Sequence, residues 1–268
     1  MAVVRRILVV GYGTVAYVLF LVVFLATIGF LAGVGVPGVG AVGGIDDGVA
    51  GPAAVAVLVD LGLLTLFALQ HSVMARPWFK RRWTRVIGPA IERSTYVLAA
   101  SLAVALLLWQ WRPLPATVWS VEAVWARALL WMLYALGWGV VLWSTFLINH
   151  FDLFGLRQVL ARARDRRYAE PGFQQPLLYR LVRHPIMVGF LIAFWAAPDM
   201  SVGRLLFAAV ASAYIVVAVR FEEHDLRRRL GAPYERYLAR VPRFVPGWRP
   251  RVAGPDAPPV PLGDQTAR

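Results

Sequence analysis

Tyr179-Arg-Leu-Val-Arg183-His184-Pro185-Ile-Met-Val-Gly189 and, further along the chain, Glu222-Glu223-His224-Asp225-Leu226 bracket two apolar runs, Pro185 to Pro198 and Leu205 to Val219. A turn-like Pro198-Asp-Met-Ser-Val-Gly203 separates the runs, so two helices would form a hairpin that returns both polar ends to one side. Runs of 14 or 15 residues make helices about 21–23 Å long, shorter than the ~30 Å hydrocarbon core of a bilayer. Short spans thin the bilayer or recess their charged ends. His184 and Glu222 then sit at the membrane boundary, where a water-soluble cofactor can meet an apolar substrate. A local reading of the same residues stands beside this one. His184 precedes a Pro at the first helical position, and Glu222 and Glu223 are spaced to pair with Arg220 and Arg227 along one helix.

Composition sets the frame for the hairpin. The chain has 268 residues, is 59% hydrophobic and contains no cysteine; its mean hydropathy is +0.60. These values describe an all-α integral membrane protein. Uncharged stretches place six transmembrane helices near residues 7–31, 53–74, 94–111, 128–149, 185–199 and 204–219, the last two being the short hairpin. Cytoplasmic C-terminal helices follow. Residues 1–246 read as one membrane domain, with its cofactor half at about 145–246, and 247–268 as a Pro-rich, disordered tail. The net charge of +13 raises nucleic acid as a partner, but its distribution excludes that reading. With the N-terminus inside, only Arg112, Arg127 and Arg204 of the 28 Lys and Arg fall in outer loops. The basicity is therefore topological, and predicts the inner membrane with both termini cytoplasmic. Without cysteine there is no disulfide, thiolate metal ligand or Cys nucleophile.

Two Gly patterns near the N-terminus imitate a dinucleotide fold, Gly11-Tyr-Gly13-Thr-Val-Ala16 and Gly33-Val-Gly35-Val-Pro-Gly38. Neither lies in a βαβ context with a following acidic residue. Gly11, Gly13 and Ala16 read instead as helix-packing residues, and 33–44 as a Gly-rich outer loop. Asp60 lies within the second span near its outer end; it is either functional or merely solvated, and is not placed in the site. Trp78, Phe79 and Trp83 among basic residues suit an interfacial helix.

The fourth span ends in Asn149-His150-Phe151-Asp152-Leu-Phe154-Gly155-Leu-Arg157-Gln158, polar donors set among apolar walls as in a pocket floor. His71, at the inner end of the second span, is titratable at the depth of His184; its bland reading is a buried, hydrogen-bonded histidine. Beyond Glu222, Gly231 ends one helix and Pro233 starts another, with Tyr234, Tyr237 and Val241 on one face.

Arg183-His184-Pro185…Gly189, then Glu222-Glu223…Leu226…Gly231…Tyr234…Tyr237…Val241-Pro242, resembles the isoprenylcysteine carboxyl methyltransferase-like (NnrU-like) membrane methyltransferases over about 175–246. More narrowly, Gln70-His71…Lys80, Glu92-Arg93-Ser-Thr-Tyr96, Leu147…Gln158 and Phe190…Trp195 look like the bacterial methanethiol S-methyltransferases over nearly the whole chain. The resemblance implies S-adenosylmethionine held between the last two spans and the C-terminal helices. Arg183, His184, Gly189, Glu222, Glu223, Tyr234 and Tyr237 form the cofactor group. Arg183 pairs with the cofactor carboxylate, the Glu carboxylates answer its ribose hydroxyls or amino group, and the two tyrosines wall the adenosine. Where the broad family often has an aromatic residue this chain has Met187, so no ring contact carries over there.

The implied reaction is direct methyl transfer to methanethiol, giving dimethyl sulfide, with no metal. The thiolate is the competent nucleophile and the thiol is mostly protonated at neutral pH, so a base or positive field is needed. Residue type and depth nominate His150, with His71 as runner-up, for that proton; Asp152 holds the imidazole and Arg157 supplies positive field. Asn149, Phe151 and Phe154 line the thiol site. The partners are thus a small apolar thiol and the lipid bilayer. Two other classes share the pattern: a methyltransferase for a prenylcysteine carboxylate or phospholipid amine, which needs a lipid-open groove, and a non-enzymatic membrane factor of nitrogen-oxide metabolism. A pocket joining His184 to Glu223, with His150 in a small closed chamber, would favour the volatile thiol.

Overall fold

The computed structural model describes residues 2–35 and 43–247, so the expected disordered tail and the middle of the Gly-rich loop lie outside the described residues. In chain order the elements are α1 (Ala2–Ala32), α2 (Ala53–Ala75), α3 (Pro77–Ile87), α4 (Glu92–Gln110), β1 (Thr117–Ser120) and α5 (Val124–Ile148). There follow α6 (His150–Leu153), α7 (Leu156–Ala163), α8 (Leu178–Leu181), α9 (Pro185–Trp195), β2 (Asp199–Ser201), α10 (Val202–Leu230) and α11 (Ala232–Arg240). Five of these, α1, α2, α4, α5 and α10, are long and apolar enough to cross a membrane, and α9 is a shorter apolar helix. The protein is a helical membrane protein, as its hydropathy requires.

Tertiary contacts sort the loops to two ends. At one end β1 pairs antiparallel with β2, Thr117 opposite Ser201, and Arg127 forks onto Asp199 at 2.8 and 2.7 Å. The backbone N–H of Arg112 donates to Asp60 Oδ1 there at 2.9 Å. Asp60 thus ties α2 to the chain leaving α4. At the other end Arg76 reaches Asp225 at 2.9 Å, Arg93 donates to the Leu153 carbonyl at 2.8 Å, and Arg6 pairs with Asp165. The loops after α1, α4 and α9 share the first end, so α9 connects the two ends although its 11 residues extend only about 16 Å as a helix.

The two arms of the hairpin are unequal. α10 runs 29 residues without a break, through Glu222 and Glu223 to Gly231, where a positive φ of 60° ends it. The expected stop near 219 marked the loss of apolar residues, which ends a membrane span and not a helix. α9 packs most densely on α5. A Cβ on Gly189 would stand 2.6 Å from the Gly137 carbonyl oxygen, and one on Gly137 2.7 Å from that of Gly189. Bare backbone on both sides lets these helices meet at van der Waals distance. Trp138, Phe190, Phe194, Phe207 and Trp111 fill the core around this crossing toward α1, α4 and α10.

Gly13 plays the same part for α1: its Cβ position is 2.7 Å from Val159 on α7, and Ala16 is fully buried. Gly11 meets nothing within 4 Å. The G-x-G stretch is membrane helix, and its Gly13 and Ala16 are packing residues.

Candidate functional site

Pro185 starts α9, and its fixed φ places His184 at the N-cap position. The His184 side chain makes no capping bond. It turns to α10, where Nε2–H donates to Glu223 Oε1 at 3.1 Å. Arg183 Nε donates to the same oxygen at 2.9 Å, and Arg243 bonds Oε1 at 3.2 Å and Oε2 at 2.5 Å. Glu223 is 3% exposed. Its burial is tolerable because three partners satisfy it, two of them permanent cations. Arg183 also donates to the carbonyls of Leu238 and Val241 at 3.3 and 2.5 Å, and the backbone N–H of Arg183 to that of Pro242 at 2.9 Å. The cluster therefore fastens the start of α9, the last turns of α10 and the segment after α11 into one unit.

Glu223 is a buried hub whose oxygens already hold protein donors. The local pairing with Arg220 or Arg227 does not form; Arg227 lies 3.5 Å from Glu235 instead. Glu222 differs from its neighbour: its carboxylate is half-exposed and 3.7 Å from His184 Nδ1. Of the two it is the one left to meet a ligand. Arg243, which directly follows the Val241-Pro242 of the motif, is a member of the cluster that no sequence signal marks.

Tyr234 and Tyr237 are buried, packed on each other and on Phe173 at ring distances of 5.8 and 5.4 Å. Tyr237 also donates to the Tyr179 carbonyl at 2.6 Å. Burial raises the Tyr237 hydroxyl to about 12 and raises Tyr234 too, so both are neutral. They close a small core under α11 and leave no open wall for adenosine in this arrangement. Gly189 is likewise spent on the α5–α9 crossing and not on the cluster around Glu223.

The His150 neighbourhood is separate. Asn149 takes a left-handed φ of 98°, a conformation Asn tolerates, and this ends α5 and folds His150 back against it. The ring stacks on Phe146 at 4.2 Å and 6°. Thr145 Oγ1 donates its one proton to the Leu142 carbonyl at 2.7 Å, so at 2.7 Å from His150 Nδ1 it must accept. His150 is then the Nδ1–H tautomer, and Nε2 accepts from Tyr17 Oη at 2.8 Å. Burial lowers the His150 pKa, which keeps it neutral. Both ring nitrogens are committed.

Asp152 does not hold this imidazole: its carboxylate accepts from Tyr168 at 2.6 Å, and Thr145 orients the ring in its place. Arg157 is exposed on α7. Phe154 stacks on Phe20 of α1 at 3.9 Å, while Phe151 is 48% exposed. Asn149, His150 and Phe151 do share an open pocket of about 280 Å3 with Phe146, Pro171 and Gln174. It is not a closed chamber, and none of the Glu223 cluster lines it. Tyr17 was invisible in the sequence because only the fold brings α1 to α6, and Thr145, although five residues before His150, meets the ring only through the reversal at Asn149.

His71, on α2, faces α4. Its Nε2 is 2.8 Å from Tyr96 Oη, and its ring lies 5.2 Å from that of Phe67. Its Nδ1 is buried and has no hydrogen-bond partner. Ser72 next to it meets Tyr214 of α10 at 3.1 Å.

A helical membrane bundle with a buried Arg-His-Glu cluster at one end is the class these observations define. The NnrU protein family matches residues 60–236, and the chain belongs to that family. It is similar to the methanethiol S-methyltransferase of Mycobacterium tuberculosis (strain ATCC 25618 / H37Rv), 53% identical over 242 residues, 90% of this chain and 97% of that protein. The methanethiol S-methyltransferase of Pseudomonas sp. (strain GM41(2012)) is 50% identical over 235 residues, 88% of each chain. Nurim of Bos taurus is 32% identical over 183 residues, 63% of this chain and 67% of that protein. No solved structure matches the chain.

Proposed function

We propose that the protein methylates methanethiol to dimethyl sulfide, taking the methyl group from S-adenosylmethionine. The carrying observation is the 53% identity to a methanethiol S-methyltransferase across 97% of that protein's length, too complete to be a shared membrane scaffold alone. The cofactor sits at the end of the bundle held by the Glu223 cluster. Arg183 and Arg243 supply positive charge there, His184 and the half-exposed Glu222 face the bound molecule, and Glu223 keeps them in place. S-adenosylmethionine supplies an electrophilic methyl on a sulfonium, so the protein's task is to align thiolate, methyl and leaving sulfur and to exclude water. The clustering of Lys and Arg at this end supports a cytoplasmic position, at the inner membrane, for it and for both termini.

The test is an acceptor panel on membranes carrying the protein, with S-adenosylmethionine labelled in its methyl group. Label in a volatile product with methanethiol, and none in lipid or in prenylcysteine peptides, is expected. Label in the lipid fraction would replace the thiol by a lipid-borne acceptor. Retained binding of S-adenosylmethionine in wild type and its loss in His184→Ala is the second expectation.

A further inference from the structure

Among the buried side-chain atoms of the described residues, His71 Nδ1 is the one histidine nitrogen without a hydrogen-bond partner. A neutral imidazole has one donor and one acceptor nitrogen, and Tyr96 occupies only Nε2. With Nε2–H donating to Tyr96, Nδ1 is a buried lone pair that nothing meets. Leaving such a group unpaired is costly, the kind of cost that persists where a ligand completes the bond. His150 offers nothing comparable, since Thr145 and Tyr17 take both of its nitrogens.

The surroundings suit a small thiol. Phe67, Tyr96 and Tyr214 give aromatic walls at ring distances of 5 to 6 Å from one another or from His71. The charged groups around it are Arg93 of α4, over the Tyr96 ring at 5.4 Å, and the Arg76–Asp225 pair joining α2 to α10. Arg93 adds positive field near a forming thiolate.

α10 links this place to the cofactor end. At 100° per residue, Tyr214 and Asp225 face α2 together, Glu223 faces the opposite way, and Glu222 lies between them. Glu222 is about 12 Å along the helix from Tyr214. Glu222 and Tyr214 thus put the cofactor end and the surroundings of His71 on one stretch of α10, and a cofactor held near His184 and Glu222 would lie beside that stretch.

We propose that His71 is the catalytic proton acceptor for the thiol, positioned by Tyr96. This rests on the thiol methyltransferase reading above. The S–H bond of methanethiol breaks as its proton moves to His71 Nδ1, leaving the bonding pair on sulfur. That sulfur attacks the methyl carbon, and the bond from methyl to sulfonium breaks with its electrons going to the cofactor sulfur. Dimethyl sulfide and the neutral thioether form, and the imidazolium returns its proton to water.

The experiment follows dimethyl sulfide production by wild type, His71→Gln and Tyr96→Phe from neutral to alkaline pH, with S-adenosylmethionine binding measured on each. His71→Gln should lose about 10²–10⁴-fold in kcat at neutral pH and recover as alkali ionises the thiol, with cofactor binding kept. Tyr96→Phe should lose less and shift its pH profile to the alkaline side. A working wild type beside a His71→Gln variant of equal rate and profile overturns the inference. If His71→Gln fails to bind cofactor, Tyr96→Phe decides: an unshifted profile overturns the proposal. A wild type that makes no dimethyl sulfide overturns the functional reading, and this inference with it.

Discussion

Glu223 holds Arg183, His184 and Arg243 from three segments of chain, and this makes it the residue whose loss should cost most. Removing the charge strands the buried Arg183 guanidinium, a change worth about 3–5 kcal/mol in other proteins. Glu223→Gln is expected to lower the thermal midpoint in detergent and to abolish S-adenosylmethionine binding, whereas Glu222→Gln should keep the midpoint and weaken binding. Equal midpoints for wild type and Glu223→Gln would show that the cluster bears little load. His150 makes a pH prediction. Its pKa is depressed by burial, so its contribution is present above the unfolded value of about 6.5 and is lost as pH falls through the folded one. The acid-side drop in thermal midpoint should be smaller in His150→Gln than in wild type. Arg183, His184 and the Glu pair were legible because they stand in a dense motif. Asp152 was not: sequence proximity to His150 suggested a bond, but Tyr168 and Thr145, brought in by the turns at Asn149 and Gly155, took the two partners.

Hydropathy accounts for most of the helices, since α1, α2, α4 and α5 follow the apolar runs within a few residues. It failed where chain geometry and hydropathy part company. α10 continues past its apolar section because nothing before Gly231 breaks a helix, and β1 and β2 are too short, at four and three residues, to announce themselves. Gly189 shows the same limit from another side, since it belongs to a motif yet faces Gly137 across α5 and α9. Gly189→Leu should push the helices apart, costing about 1–3 kcal/mol or more and lowering the yield of folded protein in detergent. A variant as stable as wild type would place the helix contact elsewhere.

Across the whole molecule, the loops alternate between two ends, and Arg112 in a loop, with Arg127 and Arg204 in the first turns of α5 and α10, are the cations at the β1–β2 end. Charge and pairing agree on the topology without either being used to find the other. The absence of cysteine makes orientation easy to read: a membrane-impermeant maleimide should label Glu122→Cys in intact cells, and Arg164→Cys only after permeabilisation. The reverse pattern would put the Glu223 cluster outside, away from a cytosolic cofactor. The central claim, methyl transfer from S-adenosylmethionine to methanethiol, is most directly tested by headspace mass spectrometry of membranes given methanethiol and trideuteriomethyl-labelled S-adenosylmethionine. Dimethyl sulfide heavier by three deuterons, absent with His184→Ala, is the result expected; membranes that bind the cofactor yet release no labelled dimethyl sulfide would contradict it.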